Sequence, residues 1–199
     1  MNPSRSLVFS ILIIVVSCCS LNAQRRFERL PAPRDPQFYE PRNKLEDFEG
    51  RVGTLLIKGR HWVGTVRGQS GSARVEATEI RDPIAARTVS GVVITLTGEG
   101  GSTGEIRALI DYDEIDALLK AMDTAVKAGD GISRLSHFEV RYRTKGDFEI
   151  MVFKQISGGV LTAVEGGFFD RSRLYMTLDD LTKLRWMISQ AKDQLNELK

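Results

Sequence analysis

Cysteine is scarce in this chain of 199 residues, since both of its cysteines, Cys18 and Cys19, lie within the first 23 positions. If the chain is cut after Ala23, the remaining protein has no thiol, which excludes disulfides, a cysteine nucleophile and thiolate metal ligands. An excess of charge of one sign is also lacking, because 28 Lys and Arg residues stand against 26 Asp and Glu residues. This near balance argues against a dedicated nucleic-acid-binding protein.

The motifs that carry common chemistries are missing as well. There are only two histidines, His61 and His137, and neither has a second histidine or a pair of carboxylates at a metal-ligand spacing. The glycine-rich stretch 98–104 is followed by a strand pattern and has no P-loop lysine, so it favours a hairpin connection over a phosphate cradle. The sequence therefore predicts no metal site and no cofactor.

The first 23 residues have the order of a secretory signal peptide. Arg5 precedes an apolar stretch over 7–16 that is interrupted only by Ser10, and this stretch is too short to span a bilayer. Cleavage after Ala23 would release an exported, periplasmic or secreted protein. Residues 15–18 also resemble a bacterial lipobox, in which case Cys18 would be lipidated and would anchor the chain to a membrane. An exported domain without disulfides indicates bacterial origin.

Residues 24–49 are rich in proline and arginine. Four of the six prolines fall here, at Pro31, Pro33, Pro36 and Pro41. Proline denies the backbone its hydrogen bonds, and the segment has few apolar residues to bury, so we expect an extended spacer.

Residues 50–199 are expected to form a single α+β domain. Alternating or apolar runs predict strands over 52–58, 61–67, 73–80, 88–97, 104–110, 137–144, 148–156, 160–164 and 172–176. Two helices are expected, one over 112–128 with Asp111 as N-cap and Glu114 completing a capping box, and one from the N-cap Thr177, with Asp180 as its box residue, to the C-terminus.

The two helix starts are part of an internal repeat with an offset of 66 residues. Asp111 matches Thr177, Leu118 matches Leu184, and the Glu-Gly-Gly sequence at 99–101 matches that at 165–167. The repeat predicts two strands-plus-helix units, over about 73–131 and 137–199, each too small to bury its helix alone. We expect the units to join into one continuous antiparallel sheet with both helices on one face and the other face open.

Basic side chains cluster on the predicted strands of the second unit. Period-2 alternation places Arg141, Arg143 and Lys145 on one face, and Arg171, Arg173 and Lys154 fall in neighbouring strands. Trp186 lies on the side of the last helix opposite its apolar stripe, where an exposed tryptophan favours a contact surface. These residues predict a site for a protein or an anionic ligand on the open sheet face. A solvated face without a partner is the alternative.

The sequence is most consistent with an exported bacterial protein that acts as a non-catalytic binding or structural module of the cell envelope. One alternative is an envelope hydrolase or lyase that uses His61 or His137 with carboxylates brought together by folding. Another is an envelope component of structural role, held at the membrane by a lipid on Cys18. No specific nucleic-acid binding is expected, and the only expected link to a membrane is that lipid.

Overall fold

The computed structural model describes residues 40–100, 104–127, 137–154, 159–168 and 170–198. The predicted signal peptide, Cys18 and the spacer up to residue 39 lie outside these residues. No helix within the described ranges is both long and apolar enough to cross a membrane.

The domain contains two four-stranded antiparallel sheets, each with its strands in chain order. Apolar residues on one side of each sheet face a common core, and we call this the inner face. Sheet 1 consists of β1 (Ile57–Arg67), β2 (Ser72–Asp82), β3 (Arg87–Thr97) and β4 (Ile106–Asp111). Sheet 2 consists of β5 (Glu139–Arg143), β6 (Glu149–Lys154), β7 (Val160–Gly166) and β8 (Ser172–Met176).

The prediction of an α+β domain is confirmed, but the single continuous sheet is wrong. The edge of β8 meets only the chain just beyond β3, where Glu99 and Arg173 exchange backbone hydrogen bonds of 2.8 and 2.9 Å. At this crossing a Cβ on Gly98 would lie 2.4 Å from the carbonyl oxygen of Arg173. The two chains are therefore too close for a side chain, and the strands cross here instead of running on as one ladder.

Helices α2 (Ile115–Val126) and α3 (Leu178–Asn196) lie antiparallel and contact each other. Arg185 of α3 donates two hydrogen bonds of 2.8 and 2.9 Å to the carboxylate of Asp123 on α2. Each helix packs on the sheet of the other half, since α2 contacts β5 and β6 whereas α3 contacts β1, β2 and β3. Both helices thus share one core with the inner faces of the two sheets.

The two predicted helix starts have different outcomes. Thr177 caps α3 as expected, because its hydroxyl accepts from the amide of Asp180 at 3.2 Å. Asp111, in contrast, makes no capping hydrogen bond to the helix that follows it, which begins with a 3₁₀ turn. Its buried carboxylate instead accepts from the backbone amides of Lys44 and Leu45 at 2.8 and 3.0 Å.

These amides belong to α1 (Lys44–Glu49), a short helix within the segment that we expected to be a spacer. Its residues Leu45 and Phe48 are buried against an apolar strip on the outer face of sheet 1, formed with Ile80, Val93 and Leu109. Asn43 caps α1 by accepting from the amide of Glu46, and it donates from its side chain to the carbonyl of Leu109 at 2.8 Å. The packed domain therefore includes residues 43–49.

Candidate binding surface

The outer face of sheet 2 carries a row of charged residues that crosses all four strands. The strand register places Arg143 opposite Glu149, Glu149 opposite Glu165, and Glu165 opposite Arg173. Directly opposite residues point to the same side of a sheet, so these four side chains are neighbours. Together with Arg141 and Arg171 they form a surface that we call the arginine face.

Glu149 is at the centre of this face and only 1% of its side chain is exposed. Its carboxylate lies 2.9 Å from Arg141 Nε, 2.7 Å from Arg143 Nη2 and 3.3 Å from Arg171 Nη2. Burial of a charge is costly unless the charge is paired, and here three guanidinium groups pair with one carboxylate.

Glu165 is the second buried carboxylate of the arginine face. It lies 3.0 Å from Arg171 Nε and 2.9 Å from Arg173 Nη2. Because Glu149 and Glu165 are adjacent across β6 and β7, their like charges repel each other, and Arg171 offsets this repulsion by contacting both. The six side chains are thus one connected network, with the carboxylates beneath and the guanidinium groups partly exposed above them.

The network stabilises the charged form of its arginines. The Tyr175 hydroxyl and the Glu165 carboxylate raise the pKa of Arg173 above its ordinary value. Glu139, and then Glu149, raise the pKa of Arg141 in the same way. Both guanidinium groups are held in position by several hydrogen bonds, which reduces the conformational entropy that a ligand would have to remove.

A shallow groove of about 700 Å³ lies beside the arginine face. Its apolar part comes from Met151, Phe153 and Phe138, and Arg141 and Arg173 supply cationic groups. The other residues that line it are His137, Glu139, Lys154 and Tyr175. The groove therefore combines apolar and aromatic side chains with guanidinium groups, a composition that is enriched at protein interfaces.

The structure brings most of the predicted binding residues together. Arg141, Arg143, Arg171 and Arg173 form the arginine face, and Lys154 lines the groove next to it.

Two predicted binding residues lie apart from that network. The side chain of Lys145 is exposed in the turn after β5, where its backbone amide donates to Glu114 Oε1 at 3.0 Å. Trp186 is 56% exposed on α3, which packs on the inner face of sheet 1, so the structure does not bring it to the arginine face.

Sequence reasoning missed the acidic half of the network. Glu149 and Glu165 were not proposed as site residues, although Glu149 is the only charged residue between Phe148 and Phe153. A lone carboxylate in an apolar strand signals that a cationic partner must lie next to it. That signal was available in the sequence, whereas the identity of the partners was not.

The two histidines are far less connected. Among the described residues, neither His61 nor His137 has a carboxylate in hydrogen-bond or ion-pair contact. No group of three or more His, Cys, Asp or Glu side chains in the described part of the chain is arranged to hold a metal ion.

Comparisons with known proteins give no further guide to this surface. No protein-family model matches the chain, and none of the curated proteins is significantly similar to it.

Proposed function

We propose that this protein is a non-catalytic binding module of the bacterial cell envelope, and that the arginine face holds an acidic segment of a partner protein. The observation that supports this proposal is the convergence of Arg141, Arg143, Arg171 and Arg173 on one outer sheet face beside an apolar groove. Guanidinium groups bind carboxylates with defined geometry, and arginine is frequent among residues that dominate binding energy.

The charge of the surface favours an acidic partner. Glu149 and Glu165 are buried beneath the arginines, so a partner would meet the guanidinium groups first. Lys145 and Lys154 add positive charge near the same strands. Such a field attracts acidic segments and raises the association rate at low salt.

The envelope location is a proposal that depends on the N-terminal sequence. A basic residue, a short apolar stretch and small residues before Gln24 are typical of export signals. Cleavage after Ala23 and lipidation of Cys18 are distinguished by the mass of the mature protein, because only the second adds acyl chains. The hydrolase or lyase alternative stays a prediction, since no described contact of His61 or His137 favours it.

The binding proposal is tested with capped peptides of matched length that alternate glutamate with valine or lysine with valine. We expect the acidic peptide to bind more tightly, and added salt to weaken its binding. Replacing Arg141 and Arg173 together by alanine should lower the affinity by roughly tenfold or more, since charged hydrogen bonds are lost. Calorimetry or fluorescence anisotropy measures these affinities.

Arg60→Ala is the matched control, because Arg60 is an exposed arginine on an outer position of β1 in sheet 1. It should leave the affinity for the acidic peptide unchanged. Equal binding of the acidic and basic peptides, or equal affinities of the double variant and the wild-type protein, would overturn the proposal.

A further inference from the structure

Strand β5 is an edge strand whose outer side has free backbone groups. On its inner side, the amide of Lys154 donates to the carbonyl of Phe138 at 3.1 Å, and the amide of Thr144 donates to the carbonyl of Phe148 at 2.9 Å. Hydrogen-bonding residues alternate along an antiparallel strand, so the even-numbered residues of β5 pair with β6. The amides and carbonyls of Glu139, Arg141 and Arg143 therefore point away from the sheet, and no other described strand pairs with them.

This free edge has a defined end. The amide of Lys145, the next outward-pointing group, donates to Glu114 Oε1 at 3.0 Å. The remaining edge of sheet 2, at β8, is already occupied, because Arg173 exchanges hydrogen bonds with Glu99 and the carbonyl of Tyr175 accepts from Gln69. Within the described part of sheet 2, the free backbone groups for a further strand are thus those of β5.

Sheet 1 also has an open edge, at β1, but that edge is less suited to a further strand. The register of β1 with β2 shifts between Trp62 and Gly64, which indicates a bulge. Bulges twist an edge away from regular pairing and are a common protection against strand addition. The register of β5 with β6 has no such shift.

The side chains of β5 indicate what an added strand would carry. Residues opposite Arg141 and Arg143 would lie on the outer face, next to the two guanidinium groups, where carboxylates are favourable. Residues between them would lie beside Val140 and Tyr142, which are half-buried and packed against the core. The matching strand alternates acidic and apolar residues.

We propose that an extended segment of a partner protein, with alternating acidic and apolar residues, adds to β5 as a fifth strand of sheet 2. This inference rests on the proposed function, because the same arginines hold the segment, and it specifies the mode of binding. The Pro- and Arg-rich residues 24–39 of this chain match the edge poorly, since their cations would face Arg141 and their prolines lack amides. A second copy of β5 would place Arg141 against itself in an antiparallel pair centred on that residue.

The decisive experiment compares Arg141→Ala with Arg141→Pro. Both variants lose the guanidinium group, but only proline removes the outward amide, and it leaves the hydrogen bonds to β6 intact because that amide does not point toward β6. For the capped glutamate-valine peptide, we expect Arg141→Pro to bind roughly tenfold more weakly than Arg141→Ala, as two strands lose hydrogen bonds across their shared edge.

Two further measurements need no variant, so they apply even if Arg141→Pro does not fold. A peptide methylated on alternate backbone amides should fail to bind the wild-type protein when the methyl groups face β5. Hydrogen exchange of the Arg141 and Arg143 amides should slow when the unmodified peptide binds.

The outcomes separate the two proposals. If the acidic peptide binds in a charge-dependent way but methylation, Arg141→Pro and amide exchange show no effect, strand addition is wrong and the arginine face still binds. If no charge-dependent binding occurs, the proposed function fails together with this inference. A concentration-dependent dimer of the wild-type protein that Arg141→Pro abolishes would assign the β5 edge to a second copy and would overturn the acidic partner.

Discussion

The outer faces of the two sheets differ in what lies on them, although both sheets have the same strand order and are each followed by a helix. On sheet 1, α1 places Leu45 and Phe48 on an apolar strip, so this face is part of the core. On sheet 2, no described helix lies on the corresponding face, which carries the arginine face and an open groove. The sequence between residues 43 and 49 therefore makes one outer face internal and leaves the other to solvent.

This difference teaches what each face contributes. Apolar burial stabilises by about 25 cal/mol for each Å² removed from water, so the face beneath α1 adds to the free energy of unfolding. A network of buried carboxylates and arginines is a weak source of net stability, because the desolvation penalty offsets much of the attraction between the charges. The arginine face is thus better explained by recognition than by folding, which supports the proposed function.

The largest expected effect is the loss of the α1 anchor. Leu45→Ala removes a fully buried side chain from the strip on sheet 1 and leaves a cavity. We expect the free energy of unfolding to fall by about 3 kcal/mol, as measured by urea denaturation. Leu55→Ala is the control, since Leu55 is 59% exposed and its loss should change stability by less than about 0.5 kcal/mol. Equal stabilities of the two variants would show that α1 does not belong to the core.

A smaller effect is expected at the centre of the arginine face. Glu149→Gln keeps the shape of the side chain but removes the charge that three arginines share. The arginines are partly exposed and can regain water, so we expect a loss of about 1 to 2 kcal/mol in the free energy of unfolding. Glu139→Gln, at a half-exposed carboxylate on the same face, should cost less. If Glu149→Gln is as stable as the wild-type protein, the buried charge is dispensable for folding.

The fold was predictable from the sequence where its determinants are local. The N-cap Thr177 and the box residue Asp180 are three positions apart, so their interaction could be inferred without a structure. Asp111 has the same local pattern, yet its carboxylate binds amides 66 and 67 residues earlier in the chain. No local pattern reveals that competition between partners.

The sequence repeat was a correct guide to topology and a poor guide to register. At the offset of 66 residues, Ser172 of β8 matches Ile106 of β4, but Ser172 pairs with Gly166 whereas Ile106 pairs with Leu96. The connection between β3 and β4 is therefore longer than that between β7 and β8. Glu99 consequently lies beyond β3 while Glu165 lies within β7, although the two residues match in sequence.

The candidate site was predictable only in part, for the same reason. Period-2 alternation along one strand was enough to place Arg141 and Arg143 on a common face. The pairing of Glu149 with Glu165, and of each with arginines from other strands, depends on the register between strands. Register depends on turn geometry and on contacts across the whole sheet, which the alternation within a strand does not specify.

The smallest effect is a pH-dependent one, at the end of α1. Glu49 lies 3.1 Å from Lys58 of β1 and 3.3 Å from Arg107 of β4. Burial alone would raise the pKa of this carboxyl, but the two cations outweigh it and the pKa lies below its ordinary value of 4.5. A lowered folded-state pKa means that the ionised carboxylate stabilises the fold above the ordinary value, and that this contribution is lost as the pH falls through the folded-state pKa.

Glu49→Gln should therefore lower the free energy of unfolding by about 0.5 kcal/mol near neutral pH, and the difference from the wild-type protein should disappear in acid. Urea denaturation across this pH range measures both values. Glu197→Gln, at an exposed carboxylate after α3, is the control and should track the wild-type protein throughout. A cost of Glu49→Gln that stays constant with pH would mean that packing of the side chain, and not its charge, attaches the end of α1 to sheet 1. The contrast between the two outer faces would then be one of shape alone at this position.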